Sequence, residues 1–521
     1  MKFLKAVTTV GSYTLLSRVF GFVRDILIAS VLGAGGIADA FFLALRLPNL
    51  FRRLFAEGAL AAAFVPIFTN ILEQNGRDQA RAFAEQVFSV LILILAFFVA
   101  FIELVMPWVM IGLAPGFAGV PGKMELATEM SRIAFPYILF ISVVSIQSGI
   151  LNALGRFAAA AAAPILFNFV LIIALLGFSN YLETPGHVLS WGVFLAGLLQ
   201  FFWLTWNCKS VGFPLQFHWP ELTEKVKLLG ARILPVVFGT SLYQINLLIG
   251  TILATLVADG AVSYLYYADR VTQLPLGVVG VAVGTALLPM LSQQLAAGDD
   301  VAAANSQNRG LEFAFLLVLP ASAALLVIAQ PIITVLFERG AFGPDEAKAT
   351  ADALKAYAVG LPAYVLIRVL SPGFFAREDT KTPVQVAAVA MGINVFLNLI
   401  FMQVWGYVGL ALASSFAAWV NVFGLVIVLR RRGHLPIDKR LQRRLPRIVL
   451  ASVGMGISLF FLQREILEIY DAPYLERVSD LALLIVSGLF IYWCLVHIFG
   501  AARWQDLKEL SRRPGPDHGK S

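Results

Sequence analysis

Apolar stretches of about 20 or more residues follow one another along this chain, and each is long enough to cross the roughly 30 Å hydrocarbon core of a bilayer as a helix. Of the 521 residues 59% are hydrophobic and 14% charged, too few polar groups to cover a soluble protein of that length. The bilayer must therefore be the solvent. About fourteen spans are predicted, at residues 4–32, 36–72, 83–113, 125–153, 158–180, 184–208, 223–258, 261–296, 305–338, 346–375, 381–404, 406–430, 442–463 and 478–500. The expected fold class is an all-α polytopic membrane protein.

An even number of spans puts both termini on one side, and Lys and Arg in short loops mark the cytoplasmic side. One set of loops holds Arg77, Arg81, Arg156, Lys209, Lys225, Lys227, Arg232, Arg309, Arg377 and Lys381, and ends in the basic run from Arg430 to Arg447. The other set holds only Lys123, Arg339, Lys348, Arg464 and Arg477. The expectation is a bacterial inner-membrane protein with both termini cytoplasmic. The net charge of +7 then follows from topology, since a basic cytoplasmic face attracts anionic lipid headgroups and requires no nucleic acid. Met1 to Lys5 resemble the start of a secretory signal, but Arg18 and Arg24 interrupt its apolar part, so the first helix is expected to be retained. The two cysteines, Cys208 and Cys494, support neither a disulfide framework nor a zinc site.

The sequence resembles itself at an offset of about 225 residues. Ala44, Arg46 and Pro48 match Ala268, Arg270 and Pro275; Phe64-Val65-Pro66 matches Leu287-Leu288-Pro289; Gly149, Pro164 and Asn168 match Gly373, Pro383 and Asn394. Two parallel six-helix lobes facing a central cavity are expected, at 1–220 and 221–433, with two additional helices at 434–503 and a cytoplasmic tail at 504–521. Pro48 and Pro275 are expected to bend the second helix of each half, with Gly33, Gly35 and Gly36 loosening the first connection.

Nine basic residues fall inside spans: Arg18, Arg24, Arg46, Arg52, Arg53, Arg132, Arg270, Lys355 and Arg368. Each costs about 2.5–3.5 kcal/mol to insert, so each calls for a partner or a water-filled cavity. In the first two spans five arginines meet three carboxylates, Asp25, Asp39 and Glu57, which leaves a cationic surplus. Helical spacing puts Arg18 and Asp25 on one face, and Arg46, Arg53 and Glu57 on another. Pairing within the bundle accounts for some of these charges, and snorkelling to headgroups accounts for Arg132. Neither absorbs the surplus. Arginine keeps its proton and grips phosphate oxygens with a planar fork, so the pattern points to an anionic, phosphate-bearing substrate.

The blocks Ser17-Arg18-Val19-Phe20-Gly21-Phe22-Val23-Arg24-Asp25, Ala38-Asp39-Ala40-Phe41-Phe42, Leu47-Pro48-Asn49-Leu50-Phe51-Arg52-Arg53-Leu54-Phe55-Ala56-Glu57-Gly58-Ala59, Ala114-Pro115-Gly116-Phe117 and Tyr266-Tyr267-Ala268-Asp269-Arg270 resemble the MurJ/MviN family of lipid II flippases. The resemblance implies the fold of the multidrug/oligosaccharidyl-lipid/polysaccharide exporter superfamily, with the lobes in a V and a groove for the polyprenyl tail on the two added helices. It implies movement of lipid II from the cytoplasmic to the periplasmic leaflet by alternating access, for peptidoglycan synthesis. Family functional positions fall on Arg18, Arg24, Asp39, Arg52 and Arg270, with Asp25, Asn49, Arg53, Glu57, Ser263 and Asp269 as second choices. Two positions depart from the family pattern: 46 is Arg where some relatives have Lys, and 273 is Gln where some have Glu, which puts an acidic role at 273 in doubt.

In this reading Arg18, Arg24, Arg52 and Arg270 bind the pyrophosphate, and Asp39 and Glu57 pair with them when the cavity is empty. Expected partners are lipid II, membrane lipids, and cell-wall synthesis and division proteins. No cofactor is expected, and the driving force is membrane potential or an ion gradient whose ion the sequence does not identify. The alternatives are an exporter of another polyprenyl-linked or amphipathic substrate, a drug exporter, which the cationic cavity disfavours, and a non-transporting cell-wall scaffold. An enzyme is not expected: there is no P-loop, nucleophile elbow or metal-ligand cluster, and His187, His218, His434, His497 and His518 are scattered along the chain.

Overall fold

The computed structural model describes residues 2–53, 60–466 and 473–501. Among them the chain is helical, and its one β-type pairing is the isolated antiparallel bridge between Arg339 and Phe342. The chain forms two compact units, one of Met1–Tyr267 with Phe337–Glu346, the other of Ala268–Leu336 with Ala347–Ser521.

The first unit holds α1 (Lys2–Leu32), α2 (Gly36–Phe51), α3 (Ala61–Asn75), α4 (Arg77–Leu113), α5 (Lys123–Ala134), α6 (Tyr137–Ala153), α7 (Phe157–Phe178), α8 (Pro185–Ser210), α9 (Glu224–Thr255) and the start of α10 (Ala261–Pro275). α7 packs between α1 and α8, and α2 lies along α5. An aromatic core under α3 and α4 includes Phe64, Phe68, Phe83 and Phe213. Phe64 and Phe83 stack there at 5.8 Å between centroids, adding to the apolar burial that holds these helices together. α4 shows what surrounds the unit. Leu93, Phe97, Phe101, Leu104, Trp108 and Ile111 form an exposed stripe along it, while Leu95, Val99, Met106 and Met110 are buried on its other side. A helix apolar on both faces requires lipid on one of them.

The second unit continues α10 into a π-helical turn, Leu276–Gly280, and holds α11 (Val281–Ala296), α12 (Asp300–Val327), α13 (Ala329–Phe337), α14 (Pro344–Leu370), α15 (Pro372–Phe375), α16 (Lys381–Arg431), α17 (Lys439–Ile466) and α18 (Tyr474–Ile498). α12 packs on α17 and α17 on α18, through Ile328, Met455, Leu459 and Leu484 at one level and Ile448, Ala451 and Val496 at another. At the other end of this stack the Glu312 carboxylate accepts hydrogen bonds from Arg309, Arg444 and Arg440, the last at 3.3 Å, and Arg309 also reaches Asp438. α16 runs for 51 residues, about 76 Å if straight, but Gly406 breaks it with φ 58° and ψ −133°, a conformation that residues with a Cβ avoid. The break separates two legs of spanning length at the boundary expected between 381–404 and 406–430.

Nine helical segments among the described residues are long and apolar enough to cross a membrane. The other apolar stretches are helical too. α1 carries Arg18, Arg24 and Asp25 within its length, and the expected spans 36–72 and 261–296 are divided between α2 and α3 and between α10 and α11. The bends expected at Pro48 and Pro275 take a specific form. Pro275 closes α10 immediately before the π-helical turn, and the helix that contains Pro48 passes into π-helical winding at Arg52 and Arg53. Proline removes an N–H and its ring crowds the preceding turn, and a widened turn relieves both.

Candidate functional site

Two buried polar centres occupy the first unit, one around Asp39 and one around Arg24. Asp39 lies in the first turn of α2 and is fully buried. Its Oδ1 accepts from the Ser263 backbone N–H at 2.8 Å and from the Ser263 hydroxyl at 2.6 Å. Its Oδ2 accepts from the Gly260 N–H at 2.8 Å and from Lys123 Nζ at 2.8 Å. Gly260 and Ser263 flank the start of α10, whose free amides and positive dipole end favour an anion. Asp39 thus caps a helix far from it in sequence. Gly260 has φ +84°, and a Cβ there would lie 2.4 Å from the Ala34 carbonyl oxygen, so this close approach requires glycine.

Lys123, the first residue of α5, supplies the counter-charge. It is buried, bonds Asp39 and also Asp259, and holds its ammonium 4.1 Å from the centroid of the buried Phe117 ring. The sequence assigned Lys123 to a loop and gave Asp39 to the arginines. The structure instead gives Asp39 a lysine, because α5 packs along α2 and brings the two ends together. A Lys at the edge of an apolar run reads as solvated, and only tertiary packing shows otherwise.

Arg24 and Asp25 are both buried in α1. Arg24 donates from Nε and Nη2 to Asp25 Oδ1 at 3.1 and 2.7 Å, and from Nη1 to Asn168 Oδ1 on α7 at 2.8 Å. Asn168 in turn donates to the Ser17 carbonyl at 3.0 Å, which fixes its amide orientation. The Tyr266 hydroxyl donates to Asp25 Oδ1 at 3.2 Å, and its ring stacks on Phe42 at 3.8 Å. Three helices therefore hold the guanidinium plane.

Farther along α2, Arg46 donates to the Leu247 carbonyl at 3.1 Å, and Arg52 Nε donates to Asn49 Oδ1 at 3.1 Å. These contacts orient the two guanidinium groups. Arg18, expected to share a face with Asp25, is exposed where Asp25 is buried; two helical turns separate them axially by about 10 Å. Arg53 is exposed, and Glu57 lies outside the described residues. In the second unit Asp269 and Arg270 are half-buried on α10, and Gln273 donates to Asp269 Oδ1 at 3.2 Å. A Glu at 273 would instead place a like charge one turn from Asp269. Lys355 pairs with Asp352 at 2.9 Å one turn away, and Arg132 and Arg368 are exposed. Asn168, Lys123 and Asp259 carried no chemical signal of their own in the sequence. Asn168 entered only as a repeat position.

The helical architecture, the lipid-facing stripe and the charged residues held inside an apolar unit define a polytopic membrane transporter. An inward-facing multidrug resistance MATE family transporter of the MOP superfamily shares its fold, with TM-score 0.66, 15% identity, and 82% of this chain and 98% of that chain covered. Residues 28–470 match the family model described as lipid II flippase MurJ. Relatives include the "Probable lipid II flippase MurJ" of Rhizobium meliloti (strain 1021), 43% identical over 98% of this chain and 97% of its own. The "Lipid II flippase MurJ" of Burkholderia cenocepacia is 35% identical over 96% and 98%. A solved lipid II flippase MurJ in an inward closed conformation superposes with TM-score 0.79 at 25% identity, covering 96% of this chain and 99% of that chain. The chain belongs to the lipid II flippase MurJ family.

Proposed function

We infer that the protein is a lipid II flippase, a transporter and not an enzyme, which moves the undecaprenyl-pyrophosphate-linked peptidoglycan precursor across the membrane by alternating access. Family membership over nearly the whole chain carries the reading. The chemistry of the first unit supports it, since three arginines are oriented within it: Arg24 by the Asp25 carboxylate and the Asn168 amide, Arg46 by the Leu247 carbonyl and Arg52 by the Asn49 amide. Pyrophosphate is the ligand for which a fixed, permanently charged fork is suited.

In the finer proposal Arg18, Arg24, Arg52 and Arg270 receive the pyrophosphate from the cytoplasmic leaflet of the inner membrane, with both termini cytoplasmic. The α17–α18 pair shields the polyprenyl tail, and membrane potential drives the cycle. Asp39 is assigned a different part from the one its charge suggested. Bound to Lys123 and the α10 amides, it latches one state, and substrate binding must favour the other state by more than the latch contributes.

Depleting the protein in living cells and labelling lipid II from the periplasmic side tests the function. Accessibility should fall on depletion, return with wild type, and fail to return with Arg24→Lys, which keeps the charge but loses the fork. Rescue by Arg24→Lys removes the geometric claim. Accessibility unchanged by depletion removes the flippase reading in favour of a scaffold.

A further inference from the structure

His187 enters the sequence as an isolated residue, yet the fold gathers two glutamates around it. Glu129 from α5, Glu183 from the turn before α8 and His187 from the first turn of α8 bring one ligand atom each to within 4.8 Å of the others. The His187 side chain is only 10% exposed. Its Nδ1 lies 2.9 Å from the Thr184 hydroxyl, and the same hydroxyl caps the His187 backbone N–H. Thr184 therefore fixes the ring so that Nε2 is the nitrogen facing the carboxylates. An outer partner that orients a ligating imidazole in this way is a regular part of metal sites.

Two further observations separate this group from an ordinary His–Glu contact. First, Nε2 stands 3.4 Å from Glu129 Oε2, longer than a good N–H···O bond. It is close to the roughly 3.3 Å edge of a tetrahedron built on metal–ligand bonds of about 2.0–2.1 Å. Second, two carboxylates converge while no Lys or Arg among the described residues pairs with either. Carboxylates this close repel one another, and a bound cation relieves that repulsion. We propose that Glu129, Glu183 and His187 form a binding site for a divalent transition-metal ion, with solvent completing the coordination on the side where both glutamates are exposed. One imidazole with two carboxylates suits Zn²⁺ and its first-row neighbours better than Ca²⁺ or Mg²⁺.

The site joins α5 to α8. Met130, next to Glu129, already packs against Gly186, where an added Cβ would lie 2.2 Å from the Met130 methyl carbon. Lys123, the partner of Asp39, lies on α5 less than two turns from Glu129. An ion here would brace the helix that presents Lys123, whatever substrate the protein carries.

The full chain, purified without a polyhistidine tag and stripped of metal, is titrated with Zn²⁺ against a chromophoric chelator. Wild type should take up one equivalent. His187→Ala and Glu183→Gln should each weaken that binding by about tenfold or more, while Glu125→Gln, an exposed carboxylate on the same helix, should leave it unchanged. Glu183 is exposed in a turn, so its isosteric replacement tests the site even if His187→Ala fails to fold. Absence of an equivalent in wild type, or equal Zn²⁺ binding by Glu183→Gln, overturns the proposal.

Discussion

Replacing Lys123 with Met keeps the length of the side chain and its packing on Phe117 but removes the ammonium from between Asp39 and Asp259. Asp39 then remains fully buried with its counter-charge gone, and breaking a buried pair from one side costs about 3–5 kcal/mol. The three remaining donors, the N–H groups of Gly260 and Ser263 and the Ser263 hydroxyl, continue to solvate the carboxylate, so the lower end applies. About 3 kcal/mol corresponds to a shift of roughly a hundredfold in the local opening equilibrium. Gly260 and Ser263 report on that opening directly, because their amide protons are the ones bonded to Asp39. Hydrogen–deuterium exchange of peptides covering 258–264 should accelerate about a hundredfold in Lys123→Met. In the double variant with Asp39→Asn the effect should be clearly less than the sum of the singles, since the neutral amide no longer needs the cation. Exchange within about threefold of wild type, or additive effects in the cycle, would refute the assignment of Lys123 as the partner that holds Asp39.

Gly260→Ala should abolish rescue of depleted cells with the protein still present in the membrane, because the new Cβ meets the Ala34 carbonyl and the φ of +84° is strained for alanine; normal growth would show that the α10 start can shift. Glu312→Gln should loosen α17 from α12, as Arg440 and Arg444 of α17 lose their carboxylate on α12; a destabilisation of about 1–2 kcal/mol is expected for partly exposed charge-assisted contacts, read as faster exchange at the start of α17, and unchanged exchange there counts against the network. Asp379, in the turn before α16, is held well below the usual carboxylate range by the Thr382 hydroxyl, the Thr382 N–H and the Arg432 guanidinium. A depressed native pKa adds stability that is fully present above the unfolded value, near 3.9, and is lost progressively as pH falls from there through the native value. The stability difference between wild type and Asp379→Asn should accordingly be flat from about pH 5 to 8 and shrink only under strong acid; a difference that changes near neutrality contradicts this origin.

Much of the fold was legible because the bilayer imposes a simple rule on composition. Apolar run length located the helices, and the break at Gly406 fell where polarity and glycine interrupt the run. Arg24 was legible for the same reason in reverse, since an arginine inside an apolar stretch stands out against its surroundings. The partners were less legible. Asn168 looks like one polar residue among many, and nothing in its neighbourhood indicates that it faces Arg24 across 144 positions. Lys123 sits at a span edge, where a charge is unremarkable to any reading based on hydropathy. Spacing along a single helix also misled for Arg18 and Asp25, because equal angle does not mean equal depth.

The exposed stripe on α4 has a length as well as a character. From Leu93 to Ile111 it rises about 27 Å at 1.5 Å per residue, close to the thickness of the hydrocarbon layer. α4 therefore acts as a gauge of acyl-chain length. Bilayers of markedly longer or shorter lipids force it to tilt, or force the surrounding membrane to deform, at a cost of fractions of a kcal/mol per Å of mismatch. α4 also packs on α3, α5 and α6 within the first unit, so the lipids chosen for reconstitution act on the same bundle that holds Arg24 and Asp39.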